Sequence, residues 1–162
     1  MFAKLSAKRQ IVVVDIDGTV SEAVNRLHLL PAAGKGSLTS DWDAFNLACD
    51  TDEPIREIIA LVEQLSQIFD IAYVTGRCEV CHKQTTRWLA EHIKAKPLMM
   101  LMRGESDNRP DAAVKVDLLE KIGLNRIAFA LEDKIEVARA FRAAGVVTML
   151  VREYVNPLIH QQ

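Results

Sequence analysis

Short apolar runs alternate with segments of helical periodicity along most of this chain, and this alternation constrains the fold more than any other feature. The apolar runs of strand length are Ile11–Val14, Ile71–Val74, Leu98–Met102, Ile127–Leu131 and Val146–Val151. The segments with apolar residues at i, i+3 and i+4 are Glu53–Phe69, Glu79–Ile93, Asp111–Ile122 and Asp133–Ala144. Strands that are apolar throughout and alternate with helices predict an α/β fold, a doubly wound parallel sheet of about five strands with helices on both faces.

The composition is typical of a soluble globular protein. The chain has 162 residues, of which 49% are hydrophobic and 26% charged, and this length favours a single domain spanning residues 1–162. The apolar runs are too short to cross a bilayer, and MFAKLSAKRQ at the N-terminus has no long apolar segment. Three cysteines, an odd number, fit a reducing compartment. We therefore expect a cytoplasmic protein with no membrane partner.

Residues 20–52 interrupt the alternation. This segment contains Pro31, Gly34, Gly36 and several Ser, Thr and Asp residues, which favour turns. It predicts a long loop or a small insert, with a short helix around Trp42–Ala48. Irregular insertions of this length in compact domains are usually functional or mobile. We therefore expect a small or minimal cap over one edge of the sheet.

Polar side chains lie where three predicted strands end. Asp15 and Asp17 follow the first strand, residues 75–77 (Thr-Gly-Arg) follow the second, and residues 132–133 (Glu-Asp) follow the fourth. Lys115 lies in the first turns of the helix after the third strand. Because ligands of doubly wound sheets bind beyond the carboxyl ends of the strands, we expect these side chains to meet in one polar cleft.

The residue types at this edge indicate phosphoryl chemistry. Asp15, Asp133 and Glu132 repel one another unless a cation lies among them, and an all-oxygen site suits Mg²⁺. A lysine and a hydroxyl group beside that cation form a pocket for a phosphoryl group. A carboxylate can attack phosphorus, and a second carboxylate can protonate the leaving oxygen and then activate water. Each string alone is also explained by a turn, a helix start or a solvated lysine, but their order favours a site.

The same residues resemble the haloacid dehalogenase superfamily of phosphotransferases. The resemblance runs through DIDGT, VTGR, Lys115 and LEDK, and it implies a Rossmann-like core. It implies four catalytic residues: Asp15 as the nucleophile, Asp17 as the general acid and base, and Thr75 and Lys115 as phosphoryl ligands. Dehalogenases lack an acid at the position of Asp17 and ion-pumping relatives usually carry Thr, so the resemblance implies a phosphatase.

The resemblance also implies a metal site. It assigns Mg²⁺ to the Asp15 carboxylate, the backbone carbonyl of Asp17 and the Asp133 carboxylate. Glu132 is implied as a further ligand that acts directly or through a water molecule.

A narrower resemblance covers PLMMLMRGESDNRPDAAVK at residues 97–115. This stretch is similar to the phosphatase domain of phage polynucleotide kinase-phosphatases, in which an acidic loop leads to an aspartate and, four residues later, the catalytic lysine. That family removes 3′-phosphates from nucleic acid ends or nucleotides. The resemblance implies four substrate-binding residues, which are Arg26, Gly76, Arg77 and Asp111. The two arginines are expected to clamp phosphate oxygens, and the aspartate to orient Lys115 or Arg77.

Other sequence motifs in the chain give weaker evidence of function. PAAGKGS at residues 31–37 lacks the spacing of a phosphate-binding loop, because Leu29 stands where a glycine is needed and Gly36 follows Lys35. We therefore expect a standalone phosphatase without a kinase site. The haem-attachment string C-x-x-C-H at residues 78–82 occurs without an export signal and is a weak indication. Trp42 and Trp88 could stack on a base, although packing is favoured for both.

Two other functions remain open at this point. The net charge of −2 favours a 5′-nucleotidase or another small-molecule phosphatase, because long nucleic acid is better bound by a basic groove. A non-catalytic nucleic-acid-binding or regulatory module would not need the complete set of candidate residues. The expected partner is therefore a phosphorylated nucleic acid end or a nucleotide, and a second copy of the chain could serve as a lid.

Overall fold

The computed structural model describes residues 10–152, and its centre is a five-stranded parallel sheet. The strands are β1 (Ile11–Val14), β2 (Ser21–Glu22), β3 (Glu53–Pro54), β4 (Asp70–Cys78), β5 (Met99–Arg103), β6 (Ile127–Glu132) and β7 (Thr148–Leu150). The large sheet has the order β5-β4-β1-β6-β7, and each neighbouring pair is parallel. This order places β1, the strand that leads to Asp15, in the middle of the sheet.

Helices cover both faces of this sheet, as the sequence predicts. They are α1 (Asp43–Leu47), α2 (Arg56–Leu65), α3 (His82–His92), α4 (Asp111–Ile122) and α5 (Ile135–Ala143). Successive residues of a strand point to opposite faces. Ile11 and Val13 of β1 accordingly pack in a core with α4 and α5, whereas Val12 and Val14 pack in a second core with α2 and α3. The apolar run of β1 is therefore buried on both sides.

The bounds of β1 and α4 agree with the sequence prediction, and other helices begin later than predicted. α2 begins at Arg56 rather than Glu53, because Glu53 and Pro54 form β3 and pair with β2. A proline also disfavours helical geometry in the residue before it. A 3₁₀ turn over Glu79–Cys81 precedes α3, and α5 begins two residues after Asp133.

The strand β4 is longer than predicted. The sequence predicts its end at Val74, but it continues to Cys78 through an irregularity in its pairing with β5. Thr75, Gly76 and Arg77 therefore lie within the irregular final part of the strand rather than after it. At the other edge, β7 covers only Thr148–Leu150 of the predicted run at residues 146–151.

Residues 20–52 form a small insert whose two ends are held together by the antiparallel pair β2–β3. It contains α1 and 3₁₀ helices at Ala23–Leu29, Thr39–Trp42 and Cys49–Thr51. The insert contacts the loop after β5. The backbone N–H of Thr39 donates to Asn108 Oδ1 at 2.6 Å, and Thr39 Oγ1 donates to the Asp107 carbonyl oxygen at 2.9 Å. The predicted helix around Trp42–Ala48 corresponds to α1.

Across residues 10–152, no helix combines the length and the apolar character that crossing a membrane requires. The N-terminal stretch considered for a secretory signal lies, apart from Gln10, outside the described residues, as does the end of the predicted domain after residue 152.

Candidate active site

A cleft of about 490 Å³ lies at the edge of the sheet where the parallel strands end. Its floor includes Asp15 and Asp17, which follow β1, and Lys115 from α4. The insert and the loop after β5 contribute the walls. A cavity of this size suits a ligand of nucleotide dimensions. The strand-end side chains therefore meet in one place.

Lys115 connects the nucleophile candidate to two other acidic side chains. Its Nζ lies 2.7 Å from Asp15 Oδ1, 3.0 Å from Glu132 Oε2 and 3.6 Å from Asp111 Oδ2. Burial alone would favour the neutral amine. The three carboxylates Asp111, Asp15 and Glu132 instead raise the pKa of Lys115 well above its usual value. The lysine is therefore a permanent cation fixed beside Asp15.

Asp15, Glu132 and Asp133 form a buried carboxylate cluster, in which one oxygen from each lies within 4.8 Å of the others. Burial and the neighbouring Glu132 raise the pKa of Asp15 to about 7. Burial and the charge of Asp15 raise the pKa of Asp133 to about 6. Among residues 10–152, Asp133 Oδ1 is buried without a hydrogen-bond partner. A cation placed among these oxygens would satisfy that atom and offset the repulsion.

Glu132 also has a local role at the start of the last helix. Its Oε1 accepts the backbone N–H groups of Asp133 and Lys134, both at 3.1 Å, while its Oε2 accepts from Lys115. Burial raises the pKa of Glu132 to about 7. The side chain thus fixes the turn that presents Asp133 to the cluster.

Two buried arginines hold Asp17. Arg77 donates from Nε to Asp17 Oδ2 at 3.0 Å and from Nη2 to Oδ1 at 2.7 Å, which is a bidentate pair. Arg26 Nη2 also donates to Asp17 Oδ1. Burial alone would raise the pKa of Asp17, but Arg77 and Arg26 together hold it well below its usual range. The predicted phosphate clamp therefore engages the acid/base candidate itself in this structure.

Asp52 completes this arrangement and is absent from the sequence prediction. Its Oδ1 accepts from Arg26 Nε at 2.7 Å, and its Oδ2 accepts from Arg77 Nη2 at 2.8 Å and from Ser21 Oγ at 2.5 Å. The backbone carbonyl of Asp52 accepts from Trp88 Nε1 at 2.8 Å, so Trp88 is a packing residue. No strand end or motif marks position 52 in the sequence.

Asp111 contacts Lys115, one of the two alternatives predicted for it. Its Oδ1 accepts from Arg103 Nη2 at 3.0 Å, and its Oδ2 lies 3.5 Å from Lys134 Nζ. Burial opposes ionisation, yet Lys115, Lys134 and Arg103 lower the pKa of Asp111 to about 2. A Cβ atom on Gly76 would lie 2.3 Å from Asp111 Oδ1, so any other residue there requires this carboxylate to shift. The sequence prediction did not include Arg103 or Lys134, although LEDK contains the latter.

Two threonine hydroxyl groups lie in this region, and the role predicted for Thr75 as a phosphoryl ligand stays a prediction. Thr75 is fully buried, and its Oγ1 accepts the backbone N–H of Arg77 at 3.1 Å. Thr19 donates from Oγ1 to Asp15 Oδ2 at 3.3 Å, so its hydroxyl contacts the nucleophile candidate.

Cys78 and Cys81 of the C-x-x-C-H string are buried free thiols.

Comparison with known proteins identifies related sequences. A protein-family model described as the polynucleotide kinase PNKP phosphatase domain matches residues 9–154. A protein of Autographa californica nuclear polyhedrosis virus, described as a proposed bifunctional polynucleotide kinase/RNA ligase, is 25% identical over 151 residues. That alignment covers 90% of this chain and 20% of the viral protein, so the chain spans about a fifth of this relative's length.

Solved structures with the same fold include a chain of the Pnkp1/Rnl/Hen1 RNA repair complex, with a TM-score of 0.69 and 19% identity over 96% of this chain and 47% of that chain. A haloacid dehalogenase-like hydrolase from Streptococcus pneumoniae has a TM-score of 0.59 and 15% identity, covering 88% of this chain and 84% of its own. An enzyme of the same superfamily from Bacteroides thetaiotaomicron was solved as an alanine mutant with magnesium and inorganic phosphate. Its TM-score is 0.54 at 8% identity, covering 93% of this chain and 99% of its own. At these sequence identities the similarity to the solved structures shows the fold alone.

Proposed function

Since the chain belongs to the family of polynucleotide kinase PNKP phosphatase domains, we propose that it removes 3′-phosphates from nucleic acid ends or nucleotides. It is a phosphatase of the haloacid dehalogenase type, and we propose that residues 1–162 form one such domain. The observation that carries the proposal is the contact of Lys115 Nζ with Asp15 Oδ1 at 2.7 Å, in the same cleft as Asp17. This arrangement supplies a nucleophile, a fixed cation and a second carboxylate.

In the first half of the proposed reaction, the Asp15 carboxylate attacks the phosphorus atom. A bond forms between Asp15 and phosphorus, and the bond to the 3′-oxygen breaks. Asp17 donates a proton to that leaving oxygen. The negative charge of the bound phosphoryl group opposes the effect of Arg77 and Arg26, which favours the protonated form of Asp17 needed here. Lys115 offsets charge on the phosphoryl oxygens.

In the second half, a water molecule attacks the phosphorus atom of the aspartyl-phosphate. Asp17, now ionised and held by the arginines, accepts the proton from this water molecule. The bond between phosphorus and Asp15 breaks, inorganic phosphate leaves, and the Asp15 carboxylate is restored. Asp17 thus serves as acid and base in turn.

We propose that Asp15, Asp133, the Asp17 backbone carbonyl and Glu132, directly or through water, hold Mg²⁺. The unpartnered buried Asp133 Oδ1 and the cluster of three carboxylates support this assignment. The magnesium and phosphate bound by the related Bacteroides thetaiotaomicron enzyme also support it. When bound, Mg²⁺ supplies positive charge that offsets the carboxylates and polarises a phosphoryl oxygen.

One observation favours a 5′-nucleotidase as the second candidate. The contact of Thr39 with Asn108 and Asp107 joins the two walls of the cleft, and a closed cleft suits a small substrate better than a long polymer. The family and the names of its relatives favour the 3′-phosphatase.

The test is phosphate release in Mg²⁺ from four substrates: a 3′-phosphorylated oligonucleotide, a 3′-mononucleotide, a 5′-mononucleotide and p-nitrophenyl phosphate. Asp15→Asn serves as the blank, and a chelator should stop the reaction. Preference for the 3′-phosphates supports the proposal. Preference for the 5′-mononucleotide would overturn the substrate assignment and keep the catalytic one, whereas activity in Asp15→Asn equal to wild type would overturn the covalent mechanism.

A further inference from the structure

The insert wall of the cleft, defined here as Trp42, Phe45 and Asn46, has features that the phosphoryl chemistry does not use. All three residues line the same cleft as Asp15 and Lys115. They lie at the start of α1 and within it. This wall therefore faces the part of a substrate that is attached to the phosphate.

Trp42 is a fixed, partly exposed aromatic surface. Its Nε1 donates to the Gly36 carbonyl oxygen at 3.1 Å, and its ring meets the Phe45 ring edge-on, with centroids 6.0 Å apart and an interplanar angle of 83°. The indole N–H is thus satisfied by the protein. A ring held in this way loses little conformational entropy when a flat ligand stacks on it.

Asn46 has a side-chain amide that is available to a ligand. The residue is only 7% exposed and lines the cleft. Among residues 10–152, the buried side-chain atoms without a hydrogen-bond partner do not include those of Asn46, and its side chain has no protein hydrogen-bond partner among these residues, so we infer that the amide reaches the cleft. An amide offers one acceptor and two donor hydrogens, the combination with which asparagine recognises the edge of a nucleobase.

Phe45 fixes this wall relative to the reacting centre. The guanidinium carbon of Arg26 lies 3.9 Å from the centroid of the Phe45 ring, and Arg26 Nη1 donates to the Phe45 carbonyl oxygen at 3.0 Å. The same guanidinium group donates to Asp17. The insert wall and the acid/base candidate therefore share a buried support, and their separation is set by the fold.

We propose that the insert wall binds the nucleobase of the nucleotide whose phosphate lies at Asp15. Trp42 provides a surface on which the base stacks, and the Asn46 amide donates to and accepts from the edge of the base. This inference rests on the proposed function, since it takes the substrate to be a nucleotide. The insert then selects nucleotides over other phosphate monoesters.

The experiment compares kcat/KM for a nucleoside 3′-monophosphate with kcat/KM for glycerol 2-phosphate. Both substrates release a secondary alcohol, so they share the leaving-group chemistry and differ in the ribose ring and the base. Stacking on one aromatic side chain contributes enough to binding for a change of about tenfold or more. We expect the ratio of the two constants to fall about tenfold in Trp42→Ala and severalfold in Asn46→Ala, and to be largely restored in Trp42→Phe.

Leu47→Ala is the matched control, because Leu47 lies on the same helix but is 41% exposed. It should leave both constants unchanged. A ratio near one in the wild type, or an unchanged ratio in Asn46→Ala, would overturn the base site even if Trp42→Ala fails to fold. If the wild type prefers a 5′-mononucleotide, the proposed 3′-reaction is overturned. The base site is then tested separately, by comparing kcat/KM for the 5′-mononucleotide with kcat/KM for glycerol 2-phosphate in the same variants.

Discussion

Asp52 Oδ2 lies 2.8 Å from Arg77 Nη2, and this contact links the end of the insert to the group that holds Asp17. Arg26 also forms ion pairs with both Asp17 and Asp52. Two buried guanidinium groups therefore share the buried Asp52 and the partly buried Asp17. Removing one partner from such a set leaves an uncompensated charge in the interior. Asp52 therefore acts on Asp17 through the arginines.

Asp52→Asn should weaken catalysis in a way that depends on the leaving group. An alkyl phosphate needs a proton from a correctly oriented Asp17, whereas p-nitrophenolate leaves without one. We expect kcat/KM, which reports the steps up to release of the leaving group, to fall at least tenfold for a 3′-nucleotide and much less for p-nitrophenyl phosphate. The free energy of unfolding, measured in urea, should fall by about 3 kcal/mol, since a buried ion network loses one charge.

Asp50→Asn provides the comparison for that variant. Asp50 lies two residues earlier and pairs with the exposed Arg87 at the surface, where ion pairs contribute little. It should change kcat/KM for neither substrate. Equal losses of kcat/KM on both substrates in Asp52→Asn would contradict a role of Asp52 in proton transfer to the leaving group.

The floor of the cleft could be predicted from the sequence because topology determines it. The carboxyl ends of parallel strands share one edge, so residues that follow β1 and β6 meet there whatever their separation in the chain. Asp15 and Lys115 are 100 residues apart and lie in contact. The bounds of β1 and α4 were also predictable, since a continuous apolar run and a regular helical period mark them.

The arrangement that holds Asp17 could not be predicted, although the sequence does predict Arg26 and Arg77 as site residues. Asp52 and Ser21 belong to the ends of the insert, whose path depends on tertiary contacts rather than on periodicity. The place of Arg77 within β4 depends on an irregularity in the pairing with β5, for which an apolar pattern gives no signal. The predicted roles of Thr75, Arg26 and Arg77 as phosphate ligands stay predictions.

Gly76→Ala should disable the site by crowding Asp111. The new Cβ would lie 2.3 Å from Asp111 Oδ1, which Arg103 holds in place, so the carboxylate must shift and its contacts with Arg103 and Lys115 are disturbed. We expect kcat/KM to fall about tenfold or more. The free energy of unfolding should fall by about 1–3 kcal/mol, as is usual when a packed position is overfilled.

Gly104→Ala is the matched control, because a Cβ at that glycine would meet no atom within 4 Å. Steady-state kinetics and urea unfolding of the two variants should differ clearly. Wild-type kinetics in Gly76→Ala would contradict the role assigned to Asp111.

Mg²⁺ should stabilise the fold, and the effect should depend on pH. With chelator present, the raised pKa values of Asp15 (about 7) and Asp133 (about 6) mean that the folded state keeps protons which the unfolded state releases above about 4. The free energy of unfolding should therefore decrease as the pH rises from about 4 to about 7. Saturating Mg²⁺ should reduce this decrease and raise Tm by about 5 °C or more at pH 7.

Asp133→Asn should lose most of the Mg²⁺-dependent rise in Tm, since it removes one carboxylate of the cluster. Asp117→Asn, which changes an exposed aspartate that pairs with Arg109, should keep the rise. Thermal denaturation with and without Mg²⁺ measures both. An equal rise in Tm for wild type and Asp133→Asn would place the cation elsewhere.

The contact between Thr39 and Asn108 should control opening of the cleft. Asn108 Oδ1 accepts from the backbone N–H of Thr39 at 2.6 Å and shares the Thr39 hydroxyl hydrogen with the Asp107 carbonyl oxygen, both at 2.9 Å. Asn108→Ala therefore removes the backbone hydrogen bond that joins the walls and leaves the hydroxyl to Asp107. We expect faster amide hydrogen exchange in residues 36–46 and unchanged exchange in β1 and β4, because local opening is limited by few contacts. Asn125→Ala, at an exposed position beside the start of β6, should leave exchange in residues 36–46 unchanged. Unchanged exchange in Asn108→Ala would mean that other contacts hold the insert, and that this pair does not limit how far the cleft opens.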